Sequence, residues 1–366
     1  MTCATIKDLV DVYLLWAQRR YRKHGRISRQ YQNLSAMLTH LLAVVVPAER
    51  LLDRAATCPE TGARALRDVP PGEFSIADFE DYLDHLCHLK GRGDEPIAVS
   101  TVNKYRGWTL QFFGWAAKER QGYIEPAVHF RLKQVEEVEP GRTPARRTAK
   151  IKSAKEEHVR ELIQFCRKHA AELPVRTPHQ RQRRRRWQLL ALALEVHWES
   201  GMRPGELVQM RQCDLSVERD NEGEVWWLYT APTFKTEHHA GEERTIYLNA
   251  IAQMALGEAI ELNRYDGPQQ MFDWAHGFDD TMRIWPWKAS DPDAARNGYY
   301  GAVTNALKMA KIPHCAPNQI RHAFATRAAA VDLEGARAQL GHRNIKTTEG
   351  YLDRDGQAAR KLLDRL

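Results

Sequence analysis

The chain has 366 residues, 54 Lys and Arg against 47 Asp and Glu, and 43% hydrophobic residues. At ~100–200 residues per domain that length suggests two domains, and the hydrophobic share excludes disordered, collagenous and fibrous classes. The longest apolar run, Leu41 to Val46, falls far below the ~20 residues of a membrane span. Residues 1–8 show no basic stretch feeding an apolar run, so no signal peptide is expected. Six scattered cysteines (Cys3, Cys58, Cys87, Cys166, Cys213, Cys315) form no C-x-x-C or finger spacing. A reduced, cytoplasmic protein without structural zinc is therefore expected. Residues 1–155 hold 25 Lys and Arg against 18 Asp and Glu, whereas residues 156–366 hold 29 of each. Arginine outnumbers lysine 38 to 16, and its planar fork matches phosphate geometry. A pI near 9.0 with this asymmetry points to a nucleic-acid partner, with a merely solvated basic surface an equal alternative on charge alone.

Thr5 can cap a helix carrying Ile6, Leu9, Val10, Tyr13, Leu14 and Ala17, with Gly25 as its left-handed stop. Ser28 can start a second, with Tyr31, Leu34, Met37, Leu38, Leu41 and Leu42, which Pro47 ends. After a loop-rich stretch, Ser75 and Asp78 form a capping-box pattern ahead of Phe79, Tyr82, Leu83, Leu86 and Leu89. Ser100-Thr101 opens a fourth helix with Lys104, Tyr105, Arg106, Trp108, Thr109, Phe112, Phe113 and Ala116. The expectation is a four-helix unit over residues 1–135.

Residues 136–155 lack an apolar period, and residues 142–155 hold six cations (Arg142, Arg146, Arg147, Lys150, Lys152, Lys155) and no anion. This reads as a flexible basic linker that tracks DNA. Ser153 and Glu156 pattern as another capping box, opening a helix with Val159, Leu162, Ile163 and Cys166. The basic run Arg181 to Arg186 leads into an apolar helix from Trp187 to Trp198; it suits phosphates or water equally. Val225 to Thr230 and Arg244 to Leu248 are β-rich and suggest a hairpin with a long turn. The remainder reads as helices. The fold class is thus mainly α with a small antiparallel β-sheet.

Five stretches carry candidate chemistry. Ser200-Gly201-Met202-Arg203-Pro204-Gly205-Glu206-Leu207 places Arg203 at a corner before a helix, where a guanidinium can meet a phosphate. Lys235, in Thr233-Phe234-Lys235-Thr236, lies near the hairpin turn and suits a general acid. In Pro317-Asn318-Gln319-Ile320-Arg321-His322, Asn318 and Arg321 are three apart and share a helix face. Leu340-Gly341-His342 follows, and nine residues on stands Tyr351.

This set resembles the tyrosine recombinases, the phage integrase family, from about residue 156 to the end. The family pattern is an arginine in Gly-x-Arg-x-x-Glu-Leu, a hairpin lysine, His-x-x-Arg-His, Leu-Gly-His, and a tyrosine nine residues later. Residues 100–119 look like the last long helix of the family's core-binding domain. The resemblance implies a core-binding (SAM-like) DNA-binding domain over 1–135, a linker over 136–155 and a catalytic domain over 156–366. It implies strand cleavage by Tyr351, with Arg203 and Arg321 on the phosphate, Lys235 protonating the 5′ oxygen, and His342 hydrogen-bonding the phosphate. No cofactor and no metal are expected, because a phosphotyrosine stores the energy of the broken bond. Asn318 departs from the family's histidine; an amide can donate to phosphate but cannot relay a proton. Arg142, Arg146, Arg147, Lys150, Lys104 and Arg106 are the expected DNA contacts. The amphipathic tail 352–366 (Leu352, Ala358, Leu362, Leu363, Leu366) implies exchange between protomers, with a dimer per site and a tetramer on paired double-stranded DNA sites. Accessory DNA-bending or directionality factors fit the same scheme. Two other readings remain: a DNA-binding regulatory protein that has lost catalysis, motivated by Asn318, and a supercoil-relaxing topoisomerase.

Overall fold

The computed structural model describes residues 3–23, 25–47, 63–91, 93–149, 152–232, 244–265, 283–287, 292–345 and 348. The chain divides into two units, residues 1–150 and 151–366. In the first, Thr5 caps α1 (Ile6–Arg20) through a capping box with Asp8. The helix stops at Arg20, short of Gly25. Gly25, at φ +77°, instead lies in the turn between β1 (Arg22–Lys23) and β2 (Arg26–Ile27). Ser28 caps α2 (Arg29–Ala43) through the Tyr31 amide. Next, β3 (Val45–Val46) pairs antiparallel with β4 (Arg64–Ala65).

The Ser75–Asp78 capping box forms at the head of α3 (Ile76–His88). Asp78 also accepts the buried Arg64 guanidinium at 3.2 Å, so one carboxylate serves a helix cap and an ion pair. α4 (Val99–Ala116) begins one residue before Ser100, at an Ala98 cap without a side-chain bond. A further helix, α5 (Pro126–Leu132), makes five α-helices among the described residues of this unit, where four were expected. The apolar faces meet in one core, where Tyr13 packs on Trp16, Phe112 and Trp115 at centroid distances of 5.4, 5.1 and 5.0 Å.

Part of the segment read as a linker is tied down by main-chain bonds. Arg146 N–H donates to Ile97 and Val99 N–H donates to the Arg146 carbonyl, at 3.0 and 2.9 Å, a parallel bridge beside α4. The Asn103 amide exchanges two bonds with Val138. In the second unit, Ala154 N–H donates to the Gln319 carbonyl and Gln319 Nε2 to the Lys152 carbonyl.

The second unit starts with α6 (Glu156–Glu172), capped at Lys155 without a side-chain bond. The expected Ser153–Glu156 box does not form, because Ser153 Oγ lies 3.3 Å from Thr326 Oγ1 instead. The long α7 (Pro178–Ser200) takes in the basic run as its first turns, behind a Thr177–Gln180 capping box. Its second half is buried on every side, from Leu189 to Ser200 with only Glu195 less enclosed. An all-round apolar helix belongs at the centre of a domain. α8 (Pro204–Gln209) follows at once.

The sheet has three strands in the order β5 (Leu215–Arg219), β6 (Val225–Ala231), β7 (Arg244–Leu248), all antiparallel. The β6–β7 hairpin was expected, and β5 was not. The register sets Tyr229 against Ile246 and Ala231 against Arg244. The helices α9 (Ala250–Tyr265), α10 (Pro292–Ala310), α11 (Pro317–Val331) and α12 (Leu333–Leu340) complete the unit. Arg327 joins α11 to α7, donating to the Trp198 carbonyl at 2.7 Å with its guanidinium 4.0 Å from the Trp198 ring. Among the described residues, no helix is long and apolar enough to cross a membrane.

Candidate active site

Gly201 ends α7 in the left-handed conformation, φ +62°. It must also be small, since a Cβ there would lie 2.1 Å from Phe324 Cδ1 on α11. The turn it makes aims the chain into Arg203, the N-cap of α8, with Pro204 pre-setting the first helical turn. Glu206, at the third helical position, receives the Arg203 backbone N–H and Nη1, each at 2.7 Å. Glu206 is 1% exposed. Its carboxylate thus orients the Arg203 side chain from below while the guanidinium stays partly open.

Arg321, 3% exposed on α11, reaches the same corner. Nη1 donates to the Gly201 carbonyl and Nη2 to the Leu340 carbonyl, both at 2.8 Å. Nη2 also lies 3.0 Å from His342 Nε2. One guanidinium therefore ties the end of α7 to the end of α12 and to His342. That end is a Schellman turn: Gly341 N–H donates to Ala338, His342 N–H donates to Arg337, and Gly341 has φ +64°.

The ring of His342 can be assigned. A guanidinium only donates, so Nε2 accepts from Arg321 and the proton sits on Nδ1, 2.9 Å from Thr348 Oγ1. Burial pushes the His342 pKa down to about 4, helped by the Arg321, Arg203 and Arg244 charges and opposed by Glu206. The ring is neutral at pH 7.

Arg244 completes the cluster and was not expected from sequence. It is buried at the head of β7, with Nε 3.8 Å from Glu206 Oε1 and with bonds to the last carbonyls of α12. A signal was available: alternation places Arg244 on the face of Ile246 and Leu248, both buried. Glu206 and Thr348 are two further contributors that were given no role.

Of the expected site residues, the structure brings Arg203, Arg321 and His342 together. Asn318 is exposed in the first turn of α11, three residues before Arg321 and on its side of the helix. Lys235, Tyr351, Lys150 and the 352–366 tail lie outside the described residues. Arg203 and Arg244 flank the buried Glu206 carboxylate and Arg321 holds the neutral His342 ring, an arrangement suited to an anion that gains charge.

The expected DNA contacts differ in their freedom. Arg147 is exposed, with its guanidinium against Gly141. Lys104 is exposed, with Nζ 4.4 Å from the Trp108 ring centroid. Arg142 and Arg146 are exposed and paired with Glu139 and Glu95 at 2.8 and 3.6 Å. Arg106 is committed to the Val135 carbonyl through Nε, at 2.9 Å, and Nη2. This bond holds the chain after α5 against α4.

The phage integrase family model matches residues 152–357 of this chain. Tyrosine recombinase XerC of Escherichia coli O127:H6 is 27% identical over 173 residues, which are 47% of this chain and 50% of that protein. The chain spans about half the length of the curated relatives it matches. A Tn1549 transposon integrase in complex with a circular intermediate DNA has a similar fold, with TM-score 0.57, 16% identity and 99% of both chains covered. XerH recombinase bound to a palindromic difH substrate gives TM-score 0.57 and 15% identity over 91% of this chain and 79% of that one. A lambda integrase dimer bound to a COC′ core site gives 0.52 and 15% over 96% and 97%.

Proposed function

Because this chain belongs to the phage integrase family, we propose that it is a site-specific DNA recombinase that breaks and rejoins strands through a 3′-phosphotyrosine. The observation that carries the reading is the buried Arg321, which binds the Arg203 corner and the His342 corner into one cationic cluster. The scissile phosphodiester sits on Arg203 and Arg321, which fork hydrogen bonds onto its non-bridging oxygens as charge develops. The Tyr351 phenol loses its proton to solvent as its oxygen attacks phosphorus, the bond to the 5′ oxygen breaks, and Lys235 gives that oxygen a proton. A 5′ hydroxyl from a partner duplex then attacks the phosphotyrosine, returns its proton to Lys235 and releases Tyr351, which is reprotonated from solvent. The bond energy is conserved throughout, so no cofactor enters.

His342 serves as a phosphate ligand in this scheme. Burial and, after it, the neighbouring cations hold the ring neutral in the free protein; an arriving phosphate offsets the cations' share and so raises the ring's affinity for a proton. The unit 1–150 grips the duplex through phosphate contacts from Lys104, Arg142, Arg146, Arg147 and Lys150. Binding is therefore salt-sensitive. The working assembly is a dimer on each site and a tetramer on paired sites, and the setting is the cytoplasm, at DNA.

Strand exchange tests the reading. Two differently labelled duplexes, drawn from a random-sequence pool by tight binding, are incubated with the chain, and recombinant-length strands are sought. Exchange between duplexes supports recombination; relaxation of supercoiled plasmid without exchange assigns a topoisomerase. Asn318 favours one competing reading, a regulatory DNA-binding protein, which predicts salt-sensitive binding with neither product.

A further inference from the structure

Arg244 stands behind the Arg203, Arg321 and His342 cluster, with hydrogen bonds going to main-chain carbonyls. Its Nη1 donates to the Ala338 carbonyl at 3.3 Å and its Nη2 to the Gln339 carbonyl at 2.5 Å. These carbonyls belong to the last turn of α12, where a cation is favoured by the helix dipole. That same turn ends in Gly341 and His342. A Cβ at Gly341 would stand 2.8 Å from Arg244 Nε, so the guanidinium lies directly beneath the corner. On its other side Nε faces the carboxylate that holds Arg203.

Glu206 needs a counter-charge because it is buried. In the free protein Arg203 supplies one. When Arg203 commits its charge to a phosphate, the cation left beside Glu206 is Arg244. We propose that Arg244 is a positioning residue for strand cleavage: it seats the Gly341–His342 corner and balances Glu206 so that Arg203 can engage the phosphate. This rests on the recombinase reading. Gln339 fits the same joint, its amide pairing with both main-chain groups of Tyr247 on β7 and with the Ser200 carbonyl. The corner that carries His342 is thus fastened to the strand that carries Arg244.

The test compares Arg244→Gln and Arg244→Lys in the full chain, using a nicked duplex that traps the covalent adduct. The glutamine variant is expected to lower the maximal adduct rate about 10- to 100-fold, as loss of a supporting contact does elsewhere. The half-saturating DNA concentration should change less than about threefold, since positioning acts on the reacting state. Lysine should recover part of the rate, because it restores the charge opposite Glu206 but cannot fork two carbonyls. Independently, 15N spectra of histidine-labelled protein should show the His342 Nδ1–H tautomer in the wild type and its loss or averaging in Arg244→Gln. A glutamine variant with wild-type rate and an unchanged His342 signal overturns the proposal. So does a rate loss that only follows the folded fraction and is equal in both variants. If the wild type itself forms no adduct, the recombinase reading fails, and the His342 signal still decides whether Arg244 seats that corner.

Discussion

Gly201→Ala strikes the corner on which Arg203 and Arg321 both depend. Two costs can be worked from the structure. The residue sits at φ +62°, where an L side chain costs about 1–2 kcal/mol. The new Cβ would also lie 2.1, 2.5 and 2.9 Å from three atoms of the Phe324 ring. The ring must retreat by more than an ångström, and overpacking of this kind costs about 1–3 kcal/mol. Together the loss is about 2–5 kcal/mol, or a fall of roughly 4–20 °C in the melting temperature of a unit this size. Urea unfolding of wild type, Gly201→Ala, Phe324→Ala and the double variant closes a double-mutant cycle. Removing the ring should relieve the clash and leave the backbone cost, giving a favourable coupling of about 1–3 kcal/mol. A Gly201→Ala protein within about 0.5 kcal/mol of wild type, or a cycle without coupling, would refute this account of the corner.

Arg321→Lys should lower single-turnover adduct formation by about 10²–10³-fold, because one ammonium cannot reach Gly201, Leu340 and His342 together; near-normal rates would contradict this. The protein should lose stability on acidification. The folded-state pKa values of His342 and His197, about 4 and about 3, lie below their ordinary value, so the unfolded chain binds the extra protons. Stability is full above about pH 6.5 and falls as pH drops towards 4, by about 3 kcal/mol for His342 alone; urea midpoints across pH 4–7 measure it, and His342→Gln should flatten part of the slope. Replacing the exposed Arg147 and Lys104 by glutamine should reduce the log–log salt slope of duplex binding by about 2, as fluorescence anisotropy between 50 and 200 mM salt would record.

Three pieces of the site were legible in sequence because each is a local device. A glycine that ends a helix, a proline that starts the next and a carboxylate at its third position define the Arg203 corner within six residues. Leu340-Gly341-His342 is a short motif in sequence that the structure folds as a Schellman turn, and Asn318 and Arg321 share a face by spacing alone. What escaped depends on tertiary partners. Arg244 reads as a solvated strand end until the core face of β7 is known. Ser153 looks like a cap, but its hydroxyl is taken by Thr326. The main chain at Arg146 bonds to Ile97 and Val99, and main-chain pairing of this kind leaves no trace in side-chain periodicity. The helix Pro126–Leu132 is two turns long, too short for its two buried positions, Val128 and Leu132, to show a period.

The central claim is that Tyr351 cleaves DNA on the Arg203–Arg321–His342 cluster. A nicked duplex that loses its 5′ fragment after cleavage traps the intermediate, and peptide mapping locates the attached nucleotide. The account predicts an adduct on Tyr351 in the wild type and none in Tyr351→Phe. An adduct on another residue, or salt-sensitive binding without any adduct that Asn318→His fails to restore, would contradict it.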